Sequence, residues 1–287
     1  MFSFLNSFFI VQNKSINRSN QEIERPILVF YREKQLILSK SLNSRRKIIM
    51  FINRLNRFPS FYEQNFSFYK NISEQYNDHS ILDCVKQLLP DTVLNSYMVD
   101  RSLKPLLNWF KNGFMKWMSN KIQCSSCKIL MRVQLLKGDS LNSRATEIHT
   151  CDKCQSSIIF PRYAKILKIA ETRVGRCSEW SILFGAILNS LSIQTRIVHD
   201  YLDHCWNESL IDKNWMHVDS TLDYPISFNH PQYYEQNWGK EYEYILAFSA
   251  NTIEDVTKNY TEKWQIVQKR RRKNDKIDLL KKMYLKA

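Results

Sequence analysis

An α+β fold is what this chain of 287 residues predicts, and three observations carry the prediction. After Cys177, apolar side chains recur at Trp180, Leu183, Phe184, Ile187, Leu188 and Leu191, the i, i+3, i+4, i+7 stripe of a buried helix. Two β-like runs follow, around 201–210 and 214–219, joined by polar residues at hairpin spacing. Upstream, Cys124-Ser125-Ser126-Cys127 and Cys151-Asp152-Lys153-Cys154 stand 23 residues apart and frame a β-like stretch at 129–136. A helix packed on an antiparallel sheet, preceded by a small metal-clamped module, satisfies all three.

The helix places its first residue in a reactive position. Gly175 lies just outside the start, and Glu179 falls in the first turn, where a negative charge suits the helix dipole. Cys177 therefore sits at the N-terminus, where backbone N–H groups favour thiolate over thiol and could also hold an oxyanion. The competing reading is a buried, inert cysteine; the helix start and the preceding Arg176 weigh against it.

The hairpin supplies the partners such a thiol needs. A turn near Ile211-Asp212 sets His204 directly opposite Asp219; moving that turn by one residue makes them diagonal neighbours on the same face. Either way an imidazole and a carboxylate are held together, as a base and its orienting acid must be. His217 shares that face and is a rival base. His199, one strand earlier, reads as structural.

The two CxxC pairs present four thiolates, the donor set of a tetrahedral S₄ site for one structural Zn²⁺ held by Cys124, Cys127, Cys151 and Cys154. Two disulfides or a redox pair are the alternatives, and seven cysteines, an odd number, argue against a complete disulfide framework.

Composition sets the remaining bounds. An apolar content of 44% with 13% aromatics is that of a globular chain. The net charge of +14 is concentrated in residues 263–287, which hold ten Lys/Arg against two Asp, with the run Lys269-Arg270-Arg271-Arg272-Lys273 at the centre. Nucleic acid, an acidic partner or a nuclear signal would each use such a run, but a solvated charged helix with Leu279, Leu280, Met283 and Tyr284 on one side explains it equally simply. No membrane span is expected: residues 1–11 are apolar but too short, and they lack a basic leader.

Taken in order, residues 1–100 read as a helical N-terminal extension. Within it, 12–24 are polar, 26–31 have strand character, 45–58 have helical spacing stopped by Pro59, 60–76 are aromatic and Asn-rich without clear periodicity, and 80–89 look helical. Residues 101–160 comprise a helix at 103–119 and the Cys₄ module, 161–262 the core with Cys177, His204 and Asp219, and 263–287 a basic tail.

Several stretches together carry a family resemblance. Gly175-Arg176-Cys177-Ser178-Glu179-Trp180, Asp203-His204-Cys205-Trp206-Asn207-Glu208 and Trp215-Met216-His217-Val218-Asp219-Ser220 resemble the cytoplasmic peptide:N-glycanase family. So do Phe160-Pro161-Arg162-Tyr163, Glu171-Thr172-Arg173 and Trp238-Gly239-Lys240, and the likeness covers roughly residues 103–262. It implies a transglutaminase-like core, akin to papain-like cysteine proteases. Cys177 would be the nucleophile, His204 its base and Asp219 the orienter.

The implied reaction is Cys-His-Asp hydrolysis of the glycan–asparagine amide of misfolded N-glycoproteins. The setting is the cytoplasm, with nuclear access an alternative, and the partner a ubiquitin-receptor proteasome-shuttle adaptor; nucleic acid is not expected. Trp206, Glu208 and Trp215 are the candidate substrate contacts, by stacking on a sugar or lining an acyl cleft, although both tryptophans could equally plug the core. Ser178, Cys205 and Leu222 depart from the family pattern. The other readings are a different thiol acyl hydrolase or transglutaminase on the same fold, and a non-catalytic transglutaminase-like DNA-binding module, which would have no need of all three catalytic residues.

Overall fold

The computed structural model describes residues 60–138 and 143–271. The strand expected at 26–31, the helix at 45–58 and the charged helix carrying Leu279 and Tyr284 lie outside them. The described residues fall into two compact units, one around 119–162 and one made of 65–118 with 163–271.

In the larger unit, α1 (Ser60–Gln75), α2 (His79–Lys86) and α3 (Asp91–Asp100) lead into α4 (Lys104–Trp109). The sequence of α1 shows no obvious period, yet Tyr69, Ile72, Ser73 and Tyr76 are all buried at helical spacing. Tyrosine and serine at inward positions disguise the stripe. α2 starts where Asp78 caps it, its Oδ1 accepting the Ser80 N–H at 2.9 Å.

The helix expected over 103–119 is shorter than its aromatic spacing implies. After α4 the chain makes one wide turn, Phe110–Phe114, and then extends as β1 (Lys116–Trp117). The reason is competition for backbone. β1 pairs in parallel with β5 (Val174–Gly175), with Lys116 N–H donating to Arg173 O at 2.7 Å and Met118 N–H to Gly175 O at 2.9 Å.

Between them in sequence lies α5 (Ile166–Thr172); beyond β5 comes α6 (Cys177–Ser190). Every residue of α6 from Cys177 to Leu188 is buried. It is a central helix, covered by α2, α5 and the sheet strands β6 (Thr195–His199) and β7 (Cys205–Ile211), so the buried helix its stripe predicts is enclosed on every side.

The sheet continues with β8 (Asn214–Val218), β9 (Leu246–Phe248) and β10 (Ile253–Asp255), in the order β10-β9-β6-β7-β8 with every pair antiparallel. β7 and β8 form the expected hairpin. Its two-residue turn is Asp212-Lys213, both at positive φ (48° and 65°), the handedness that suits strand twist. Asn207 pairs with Val218 and Glu208 with His217, so His204 and Asp219 lie just past the strand ends as diagonal neighbours, the second of the two registers considered. Two short helices, α7 (Tyr233–Trp238) and α8 (Trp264–Arg270), complete the unit.

The smaller unit holds a three-stranded sheet, β2 (Arg132–Lys137), β3 (Ser143–Thr150) and β4 (Ser157–Tyr163), with β3 in the middle. Buried Glu147 lies 3.1 Å from His149 and 3.4 Å from Arg162, so its charge is paired inside the module.

Candidate functional site

The start of α6 is anchored from three directions. Glu179 Oε2 accepts the Arg176 N–H at 3.0 Å, Trp180 Nε1–H donates to Gly175 O at 3.1 Å, and Arg176 Nε–H donates to Met118 O at 3.1 Å. Gly175 is required by space: a Cβ there would fall 2.3 Å from Glu179 Cβ. These contacts set Cys177 at the first helical position, 6% exposed, with its Sγ 3.8 Å from Asp203 O.

His204 follows a tight loop. Asp200 Oδ1 accepts three successive N–H groups, from Leu202 at 2.9 Å and from Asp203 and His204 at 3.0 Å each. Lys240 neutralises the loop, with Nζ 2.7 Å from Asp200 Oδ2 and also bonded to Asp203. The imidazole is thereby aimed so that Nε2 meets Asp219 Oδ2 at 2.7 Å, which leaves Nδ1 as the ring nitrogen for other work. Burial alone would lower the pKa of His204. The Asp219 carboxylate, its hydrogen bond and a bond with Cys177 outweigh it and push the pKa up to about 10. Asp219 answers in the opposite sense: burial disfavours its charge, but His204, His217 and the Thr221 hydroxyl, 2.7 Å from Oδ1, hold it well below the usual carboxylate range.

His217, the rival base, is placed differently. Its Nε2 meets the Tyr234 hydroxyl at 2.6 Å, and burial lowers its pKa to about 4. His199 packs between Tyr69 and Tyr201, with ring centroids 5.5 Å and 4.5 Å away.

Of the candidate substrate contacts, Trp206 is 1% exposed and donates from Nε1 to Tyr260 Oη at 2.8 Å. Glu208 is equally enclosed, held by Arg196 at 2.7 Å and by the Tyr260 hydroxyl at 2.8 Å. Trp215 is half-buried, with the Arg196 guanidinium 3.9 Å from its ring centroid. Half-buried Trp238 stands against His204, ring centroids 5.2 Å apart. Leu222 packs on the aromatic cluster of Trp206, Tyr234 and Tyr260, while Asp223 is exposed and pairs with Lys111 at 2.8 Å. Sequence reasoning missed Asp200, Tyr234 and the use made of Lys240; only Lys240 left a signal, inside the Trp238-Gly239-Lys240 motif.

In the smaller unit, Cys124, Cys127, Cys151 and Cys154 bring their four sulfurs within 4.8 Å of one another, and all four are free thiols. Four sulfurs around one zinc at ~2.3 Å would be ~3.8 Å apart, and Cys124 Sγ to Cys154 Sγ is 3.5 Å. The donors fit a metal. The Cys127 N–H and the Ser156 hydroxyl stabilise a thiolate on Cys124, holding its pKa down to about 6.

Residues 137–220 match the transglutaminase-like superfamily. A peptide-N(4)-(N-acetyl-beta-glucosaminyl)asparagine amidase of Yarrowia lipolytica is 30% identical over 216 residues, 67% of this chain and 60% of that protein. The amidase of the same name from Mus musculus is 40% identical over 182 residues, 61% of this chain and 27% of that protein. The chain is a relative of the peptide:N-glycanases. It spans 60% of the first of these relatives and 27% of the second. Among solved structures, Rad4–Rad23 bound to a 6-4 photoproduct lesion matches over 81% of this chain and 59% of that one, at 13% identity and a TM-score of 0.43. No helix among the described residues is long and apolar enough to cross a membrane.

Proposed function

We propose that the chain hydrolyses the amide bond joining an N-glycan to asparagine. The observation that carries the reading is the 2.7 Å contact of His204 Nε2 with Asp219, on an imidazole that also hydrogen-bonds Cys177 at the start of α6. Cys177 as thiolate attacks the side-chain carbonyl of the glycosylated asparagine, forming a C–S bond and a tetrahedral oxyanion beside the first N–H groups of α6. Collapse breaks the C–N bond as His204 gives its proton to the leaving glycosylamine. Water, relieved of a proton by His204, then attacks the thioester; aspartate leaves and the thiolate returns. Asp219 keeps the imidazole oriented and stabilises its charged form.

Trp238 and Trp215 offer half-buried aromatic faces for the substrate, whereas Trp206 and Glu208 act from inside the sheet. The substrates are unfolded N-glycoproteins in the cytoplasm, and a ubiquitin-receptor shuttle adaptor is the partner. One structural Zn²⁺ is held by Cys124, Cys127, Cys151 and Cys154 and supplies folding energy to its unit. The test is incubation of pure protein with a denatured N-glycoprotein. Asparagine converted to aspartate at the former glycan site, with glycosylamine released, is expected; glycoprotein left intact by protein whose Cys177 is alkylatable overturns the reading.

A further inference from the structure

Asp219 carries a second buried partner that the reaction above does not use. Its Oδ2 accepts not only from His204 but also from the Tyr234 hydroxyl, at 2.7 Å. The Tyr234 oxygen in turn meets His217 Nε2 at 2.6 Å, and His217 Nδ1 faces the His230 N–H at 3.3 Å. Asp219, His204 and His217 are at most 6% exposed and Tyr234 is not exposed at all.

The protons in this chain can be placed. A backbone N–H directed at His217 Nδ1 leaves that nitrogen as acceptor, so a neutral ring carries its proton on Nε2 and donates it to the Tyr234 oxygen. The Tyr234 proton then has one acceptor left, Asp219 Oδ2. The reverse assignment would put the Tyr234 oxygen against a buried carboxylate with no proton between them. Burial keeps His217 neutral, as this order requires.

We infer that Tyr234, oriented by His217, is a positioning residue that shares the charge of Asp219 and so sets how firmly His204 holds its proton. This rests on the proposed Cys177–His204–Asp219 site and deepens it. The histidine that rivalled His204 in the sequence thus acts at the far end of the same hydrogen-bonded row. The groups facing His204 are Asp219, Tyr234, Cys177 and, behind its loop, Asp200 with Lys240; those facing Asp219 are His204, His217, Tyr234 and Thr221.

The test reads Cys177 and His204 directly, without a glycosylated substrate. Tyr234→Phe keeps the ring beside Trp206, centroids 4.8 Å apart, and is expected to fold, with a melting temperature lowered by several degrees because the His217 Nε2–H loses its acceptor. Without the hydroxyl, Asp219 is a stronger acceptor. The limb of the Cys177 alkylation profile set by His204, measured with iodoacetamide, should move up by about 0.5–1 pH unit. The His204 Nε2–H proton resonance should move downfield at neutral pH.

His217→Gln keeps a donor near the Nε2 position and should match the wild-type profile, while His217→Leu should shift it in the same sense as Tyr234→Phe, by less. An unmoved profile and resonance in folded Tyr234→Phe overturns the inference, as does a His217→Gln profile displaced as far as that of Tyr234→Phe. Since neither readout involves a glycan, loss of the glycanase reading would leave this result standing.

Discussion

The backbone N–H of His204 ends on a carboxylate, Asp200 Oδ1, 3.0 Å away, and the other oxygen of that carboxylate is neutralised by Lys240 at 2.7 Å. The imidazole is thus placed through its main chain by a buried ion pair. Lys240→Met should strand the Asp200 charge, at a cost of about 3–5 kcal/mol and a fall in melting temperature on the order of 10 °C. At temperatures where the variant is folded, kcat should fall with it as the loop slackens. A variant that melts and turns over like wild type would remove Lys240 from this role.

Cys177→Ala should abolish turnover while leaving the melting temperature within a few degrees, because only the sulfur is lost from a helix anchored by Glu179, Trp180 and Arg176. Cys177→Ser should lose several orders of magnitude, since a hydroxyl at that position is far less acidic than a thiol. Near-normal turnover in either variant would assign the chemistry elsewhere.

The two histidines beside Asp219 give stability opposite pH dependences. His204 is raised to about 10 in the folded chain, so its contribution is fully present below its unfolded value of ~6.5 and is lost as the pH rises toward 10. His217 is lowered to about 4, so between ~6.5 and 4 the unfolded chain takes up a proton that the folded one refuses, and stability falls with falling pH. Melting temperature should therefore peak near pH ~6.5. His204→Gln should flatten the alkaline side and His217→Gln the acid side; melting curves that keep both slopes in both variants would contradict the assignment.

Metal analysis of the purified chain should find one zinc per molecule. Cys151→Ser should release it and destabilise the unit around 119–162, because binding energy at such a site is folding energy. Folded, active protein free of metal would refute the site.

What the sequence made legible was whatever local spacing encodes: Cys177 at a helix start, His204 and Asp219 side by side on a hairpin, and the two cysteine knuckles. Trp206, which the sequence left open between cleft and core, and Glu208 show the limit. Their polar surroundings in sequence suit a surface, but β7 lies between β6 and β8 and its residues from Cys205 to Ser209 are buried. The polarity of the strand is satisfied inside, by Arg196 and Tyr260. Tyr234 was invisible for a related reason: it comes from a six-residue helix with no apolar period, and only the tertiary fold brings its hydroxyl to Asp219. The helix at 103–119 failed at Lys116 because a distant strand, Val174–Gly175, claims that backbone.

The 2.3 Å that a Cβ on Gly175 would leave to Glu179 has a consequence for how this sequence can change. Alanine, the smallest possible alteration, would have to push the first turn of α6 away and carry the sulfur with it. Because Trp180 and Met118 grip the same few residues, the displacement has no slack to vanish into. A random search of variants at this position should therefore come back empty, and the tolerance map of the protein should show a hole two residues ahead of Cys177, where a single added methyl group silences the chain.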